Sequence, residues 1–293
     1  MVTGNDPKHS LAPLFASHPR NWRQNRYVYP VISRRSGGLS VGVNLNPDKA
    51  CNFDCVYCQV DRTVPPTVRK VDVDVLRDEL DHLVHLATSG ELFDDPQFSH
   101  VPAQYRRFND IAFSGDGEPT TSPQFPAAVR IAADIRRKYG LDDVKLVLIT
   151  DSAYLTKPAV RDALAVMDAN NGETWAKLDA GTEEYYQLVN RPNVPLQAVL
   201  DNILDAARVR PVVIQSLWMN VHGSPPPDPE VDAFARRLRA ILDAGGRIKL
   251  VQMHTIARQT TEPWVTPLDD ATLERLAARV RTIVAVPVKT YAA

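Results

Sequence analysis

Along the chain, apolar positions switch repeatedly between a period of two and a period near 3.6, and each switch marks a strand handing over to a helix. Residues 40–46 (SVGVNLN) alternate as a strand. Residues 72–89 then set Val75, Leu76, Leu80, Leu83, Val84 and Ala87 at helical spacing and stop at Gly90. A second strand is predicted over 110–114, with Ser122 as N-cap and Pro123 as the first residue of a helix reaching Tyr139 and Gly140. Residues 144–150 (VKLVLIT) make the third strand, before a helix over 157–168. The fourth strand, 174–179, precedes helices over 182–189 and 196–208. The fifth, 212–219, is followed by a helix opened by Asp228 and Pro229, striped by Val231, Phe234, Leu238, Ile241 and Leu242, and closed at Gly245 and Gly246. Residues 247–256 form the sixth strand, 269–281 a last helix bearing Leu273, Leu276 and Val280, and 283–288 a short closing strand.

Six unbroken strand–helix alternations imply a parallel sheet with helices outside, either an open doubly wound sheet or a barrel. Function then belongs at the C-terminal ends of the strands. Residues before Tyr27 are polar and dotted with proline, and they predict an irregular arm. Two other segments leave the rhythm. Residues 91–109 follow a helix and belong at the bottom of the sheet, whereas 222–228 (HGSPPPD) follow a strand and can reach the active face.

With 293 residues, 44% hydrophobic and 24% charged, the chain has the composition of a soluble globular protein, which excludes a disordered tail. No apolar run approaches the roughly 20 residues that span a bilayer. Residues 1–19 carry no basic region followed by an apolar stretch, so a cytoplasmic protein without membrane attachment is expected. The net charge of -1 conceals an asymmetry: residues 1–70 hold ten basic and four acidic side chains, a local excess suited to an anionic partner. Three cysteines are an odd number, which argues against a disulfide framework and for bound metal or reactive chemistry.

All three thiols, Cys51, Cys55 and Cys58, sit in one loop directly after the first predicted strand. Thiolates spaced three and four residues apart can wrap one face of a metal cluster and leave one coordination position for something else. A zinc site completed by a nearby His or Asp, or three core cysteines, are the competing readings; no second Cys/His doublet of zinc-site spacing accompanies the loop. Beyond it, Ser114-Gly115-Asp116-Gly117-Glu118 follows the second strand, where glycines let backbone approach a ligand and a carboxylate can pair with an ammonium. Thr150 and Ser152 share a face by the period of two, as do Lys177 and Asp179; a Lys/Asp pair inside a barrel is costly unless paired or ligand-bound. Gln252 and His254 give the sixth strand one polar face.

The C-x3-C-x2-C pattern, with Tyr57 just before the last cysteine, resembles the radical S-adenosylmethionine (SAM) superfamily. That resemblance implies a partial (β/α)6 TIM-like barrel over residues 39–293 with an N-terminal extension, 1–38. It implies a 4Fe–4S cluster on Cys51, Cys55 and Cys58, whose open iron binds SAM. It also implies a one-electron reductant such as a flavodoxin or ferredoxin, and reductive cleavage of SAM to a 5′-deoxyadenosyl radical that abstracts hydrogen from substrate. Gly117 and Glu118 are similar to the family's Gly-Gly-Glu element, which holds the SAM amino group. Tyr57, Ser114, Gly115, Asp116, Gly117, Glu118, Thr150, Ser152, Lys177, Asp179 and His254 are the expected cofactor contacts. Lys177-Leu178-Asp179-Ala180-Gly181, with Asn190-Arg191-Pro192, resembles the branch related to the wyosine-base tRNA synthetases. The resemblance thus admits tRNA or a nucleoside as substrate, and Arg20, Arg23, Arg26, Arg34 and Arg35, interleaved with Trp22, Tyr27 and Tyr29, suit phosphate pairing and base stacking. A non-catalytic iron–sulfur or zinc protein, sensing redox state or binding a partner, is the alternative of another class.

Overall fold

The structure, a computed structural model, describes residues 22–66 and 68–292. Arg20 and the rest of residues 1–21 lie outside the described part. The strands are β1 (Val28–Ser33), β2 (Gly38–Val43), β3 (Phe108–Phe113), β4 (Lys145–Thr150), β5 (Gly172–Lys177), β6 (Val212–Leu217), β7 (Met219–Val221), β8 (Ile248–His254), β9 (Val265–Pro267) and β10 (Val288–Tyr291). The helices are α1 (Val73–Ser89), α2 (Phe125–Lys138), α3 (Pro158–Asp168), α4 (Glu183–Asn190), α5 (Leu196–Val209), α6 (Asp228–Asp243) and α7 (Asp270–Arg281).

One eight-stranded sheet runs in the order β1-β2-β3-β4-β5-β6-β8-β10. Every pairing in it is parallel except β1 with β2. β1 and β10 are its two free edges, so the sheet curls into a half-barrel instead of closing, as the partial (β/α)6 barrel expectation requires. The helices cover the convex side: Leu76, Leu80, Leu83 and Val84 of α1, and Val231, Phe234 and Leu238 of α6, are fully buried. No helix among the described residues is long and apolar enough to cross a membrane.

Local chemistry explains where elements begin and end. Asp72 caps α1 by accepting from the Asp74 and Val75 amides, and Gly90, at φ 88°, ends the helix in the left-handed conformation that glycine tolerates. The expected start of α2 at Pro123 is corrected to Phe125. The Glu118 carboxylate accepts from the Thr120 amide and draws Pro119–Thr121 into a 3-10 turn, so Pro126 occupies the first helical turn. The closing strand is corrected from 283–288 to Val288–Tyr291. The Ile283 and Val284 amides both donate to the Val280 carbonyl and prolong the turn after α7.

Two features of the sheet are absent from the sequence reading. β1 contains Pro30, which is compatible with a strand only at an edge, the place it occupies. Its entry is fixed by Glu79, whose carboxylate accepts from the amides of Arg26, Tyr27 and Val28 at 2.7, 2.9 and 3.2 Å. β7 and β9 pair antiparallel as a separate small sheet of three-residue strands, too short to leave a periodic signal.

The concave face is layered. At the N-terminal ends of the strands lies a polar floor: Ser40 donates to Asp110, and Glu173 accepts from Lys145 at 3.3 Å and Lys249 at 2.6 Å. Above it Ala112, Val147, Trp175 and Val213 pack as an apolar layer. Above that layer are the C-terminal strand ends and the loops they carry.

Candidate active site

The cysteine loop leaves β2 and is tied to its neighbours through its backbone. The Glu118 amide donates to the Ala50 carbonyl at 3.0 Å. The end of α4 accepts from it twice, Asp54 to Asn190 at 3.1 Å and Val56 to Val189 at 3.0 Å. Asn193 donates to Asn52 at 3.1 Å, and Thr261 to Cys58 at 3.1 Å. An irregular loop keeps one shape only when its polar backbone is satisfied in this way. All three thiols are free, and all three line one cavity of about 290 Å3 at the mouth of the half-barrel. Burial pushes the Cys51 thiol up to about 12 and the Cys55 thiol up to about 11, so ligation there must displace protons. Among the described residues no three His, Cys, Asp or Glu side chains converge as the ligands of a single ion would.

The turn after β3 supplies the opposite wall. Gly117 is required by space: a Cβ there would lie 2.0 Å from the Ala50 carbonyl oxygen, on backbone that cannot swing aside. Ser114, Gly115, Gly117 and Glu118 line the cavity with the thiols, whereas Asp116 does not and accepts from Asn44 Nδ2 at 2.7 Å. Glu118 is buried and already heavily used. Its carboxylate accepts from the Thr120 amide and hydroxyl, the Thr150 hydroxyl at 2.8 Å and the Asp151 amide at 2.7 Å. Burial raises Glu118; burial and then the charge of Glu118 raise Asp151 well above the usual carboxylate range. This pair resists carrying two negative charges at once.

The remaining expected residues divide. Tyr57, Lys177 and His254 line the cavity. Thr150 and Ser152 do not: the Thr150 hydroxyl points to Glu118, and Ser152, at φ 70°, is fully buried with its amide donating to Thr150 Oγ1 at 3.0 Å. Their neighbours Ile149 and Asp151 face the cavity in their place. Asp179 lies behind the lining. It accepts from the Tyr57 hydroxyl, from Asn190 Nδ2 at 3.0 Å and from the Leu217 amide at 2.8 Å, and pairs with Lys177 at 3.6 Å. The Lys177 ammonium also sits 4.8 Å from the centroid of the Tyr57 ring. Burial, reinforced by the charges of Arg35, Lys177 and Arg34, holds His254 well below its usual range, as a neutral imidazole.

Sequence reasoning missed Asp151, Asp110 and Trp175 as lining residues and Asn190 as a neighbour of Cys55, whose sulfur lies 3.4 Å from its Nδ2. The Asn-Arg-Pro string was the available signal for Asn190. Expectations for the basic and aromatic arm are corrected in part. Trp22 and Tyr27 are packed in the core away from the cavity, whereas Tyr29, also buried, lines it, and Arg23 pairs with Asp95 at 2.9 Å. Arg34 and Arg35 reach the cavity from the turn between β1 and β2, and the Arg35 guanidinium lies 5.6 Å from the centroid of the Trp175 ring. The 222–228 loop contributes nothing to the cavity lining; His222 stacks on Trp264 at 4.6 Å beside the small sheet.

No protein-family model matches the chain. The UPF0026 protein MJ1312 of Methanocaldococcus jannaschii is 28% identical over 176 residues, which cover 60% of this chain and 46% of that protein. The chain spans 36% to 51% of the lengths of the curated relatives it matches. Among solved structures, Streptococcus suis SuiB bound to S-adenosylmethionine superposes with a TM-score of 0.57 at 12% identity, over 88% of this chain and 52% of that one. Spore photoproduct lyase with a dinucleoside spore photoproduct superposes with a TM-score of 0.54 at 9% identity, over 83% and 74%. At these identities the two likenesses show the fold alone, the curled half-barrel described above.

Proposed function

We propose that the chain is a radical SAM enzyme in which Cys51, Cys55 and Cys58 hold a 4Fe–4S cluster and the mouth of the half-barrel binds SAM. The observation that carries the reading is the meeting, in one cavity, of three thiols from one loop with a Gly-Asp-Gly-Glu turn whose glycine touches the backbone beside the first thiol. The donor set fits: three thiols from one loop line one cavity, and a cubane takes one thiolate at each of three corners. When bound, the cluster and SAM supply one-electron cleavage to a 5′-deoxyadenosyl radical that abstracts hydrogen from a substrate.

The chain's own residues position and shield. Three thiols leave one iron for a ligand that is not protein. Asp151 Oδ2, buried and without a hydrogen-bond partner, is an acceptor for the cofactor's ammonium, and Lys177 offers its carboxylate a cation. Ile149 and Leu217 give the same cavity apolar walls. The half-barrel below, with Arg34 and Arg35, receives the substrate. The dinucleoside in the spore photoproduct lyase structure supports a nucleoside or tRNA there, as do the two arginines. A cytoplasmic flavodoxin or ferredoxin supplies the electron.

Anaerobic reconstitution tests the reading. The protein should take up iron, its reduced cluster should change spectrum on adding SAM, and 5′-deoxyadenosine should be released. Cys55→Ala should lose all three signals. A parent protein that binds no iron, or binds SAM and is reduced without releasing 5′-deoxyadenosine, would overturn it. Modified-nucleoside profiles of a deletion strain address the substrate: an unchanged profile removes the nucleoside reading and leaves the cofactor reading standing.

A further inference from the structure

Asn190 is the last residue of α4 and is 1% exposed. Its Nδ2 lies 3.0 Å from Asp179 Oδ2, 3.0 Å from the Tyr57 oxygen and 3.4 Å from Cys55 Sγ. Two amide hydrogens therefore face three acceptors. The Asp179 carboxylate takes one of them. The other lies between a phenol oxygen, itself donating to Asp179, and the cysteine sulfur. A ligated Cys55 is a thiolate, and a charged sulfur attracts that hydrogen more strongly than a neutral phenol does.

The orientation of the amide is determined as well. Turning it over would place Oδ1 against the Asp179 carboxylate, oxygen to oxygen, with no hydrogen between them. The distance to sulfur is also fixed, because the Val189 and Asn190 carbonyls accept from the cysteine loop on either side of Cys55. Cys51 has a different surrounding, a backbone contact with Phe53 inside its own loop.

We propose that Asn190 is a positioning residue that donates a hydrogen bond to the Cys55 sulfur and thereby raises the reduction potential of the cluster Cys55 helps to hold. The inference rests on the cluster reading above. Its physical basis is that a hydrogen bond to a ligating sulfur draws off negative charge and favours the reduced, more negative cluster. Asp179 orients the donor, and Lys177 and Leu217 in turn hold Asp179.

The test is an EPR-monitored redox titration of the anaerobically reconstituted full chain beside Asn190→Leu, which keeps similar volume and removes the donor. The expected result is an iron content equal to the parent's and a midpoint potential shifted to more negative values. An unmoved midpoint in an iron-loaded variant overturns this inference and leaves the cluster reading intact; an iron-free parent overturns both. A second measurement is pulsed EPR of the reduced parent and of Asn190→Leu, both labelled with 15N-asparagine. A coupling present in the parent and lost in the variant supports the hydrogen bond, and a coupling absent from the parent or unchanged in the variant overturns it.

Discussion

At the floor of the half-barrel, Ser40, Asp110, Lys145, Glu173 and Lys249 close on one another, and Glu173 also accepts from the Trp175 indole at 2.8 Å. At the mouth, polar groups of the same kinds are just as buried, yet Asp151 Oδ2, Ser152 Oγ and Asn190 Oδ1 have no partner. Both ends belong to the same strands, and the cavity reaches from the thiols past Ala112, Val147 and Trp175 to Ser40 and Asp110. A buried polar atom costs about 1–3 kcal/mol when unpaired, so natural structures keep few of them. Asp151 lines the cavity with the three thiols and keeps an acceptor open there, whereas the charges of Glu173, Lys145 and Lys249 answer one another.

Substitutions at the two ends should therefore separate. The largest effect is expected at the mouth, from Gly117→Ala. Its new methyl meets the Ala50 carbonyl, so the cysteine loop must shift; iron uptake should fall to near zero and stability by about 1–3 kcal/mol, read by metal analysis and chemical denaturation. Glu173→Ala comes next, at the floor. It strands the Trp175 indole N–H and two lysine contacts and should cost about 2–3 kcal/mol, less than a sealed ion pair because both lysines reach water. Its iron uptake should equal the parent's; a loss of iron there would erase the distinction between the ends.

The third contrast is a pH dependence. Burial pushes the Asp110 carboxyl up to about 6, against the opposing pull of Ser40 and Lys145. The folded protein then holds this proton more tightly than the unfolded chain does. Asp110 accordingly contributes stability at low pH, and that contribution is lost as pH rises from about 4 to about 6. Asp110→Asn keeps an acceptor for Ser40 and should flatten the stability profile across that window. An identical slope in parent and variant would mean that Asp110 is not the titrating group.

Much of this was legible beforehand, and the errors are instructive. Strand–helix alternation placed the six parallel strands and their helices to within a few residues, because each element carries its own apolar period and its own caps, such as Asp72 and Gly90 around α1. Thr150 and Ser152 share a face only as far as alternation lasts, and β4 ends at Thr150. At Ser152 the backbone turns left-handed and the period of two no longer governs which side chain faces inward. β1 escaped notice because Pro30 disqualifies a central strand, and nothing local says that a strand will be an edge. The arm's aromatic residues read as a stacking surface from composition, yet Trp22 and Tyr27 found more apolar surface inside the fold than any exposed position offers.

The amino-acid sequence by itself determined the alternating architecture and the clustering of all three thiols in one loop, since both depend on spacing between near neighbours. Only the tertiary structure decided that Asn190 meets Cys55 across 135 residues, that Asp151 rather than Ser152 faces the cavity, and that Ser40 meets Asp110 across 70 residues. Those outcomes depend on strand register and on how loops settle against one another, which are set by the packing of the whole chain and leave no mark in any short stretch of it.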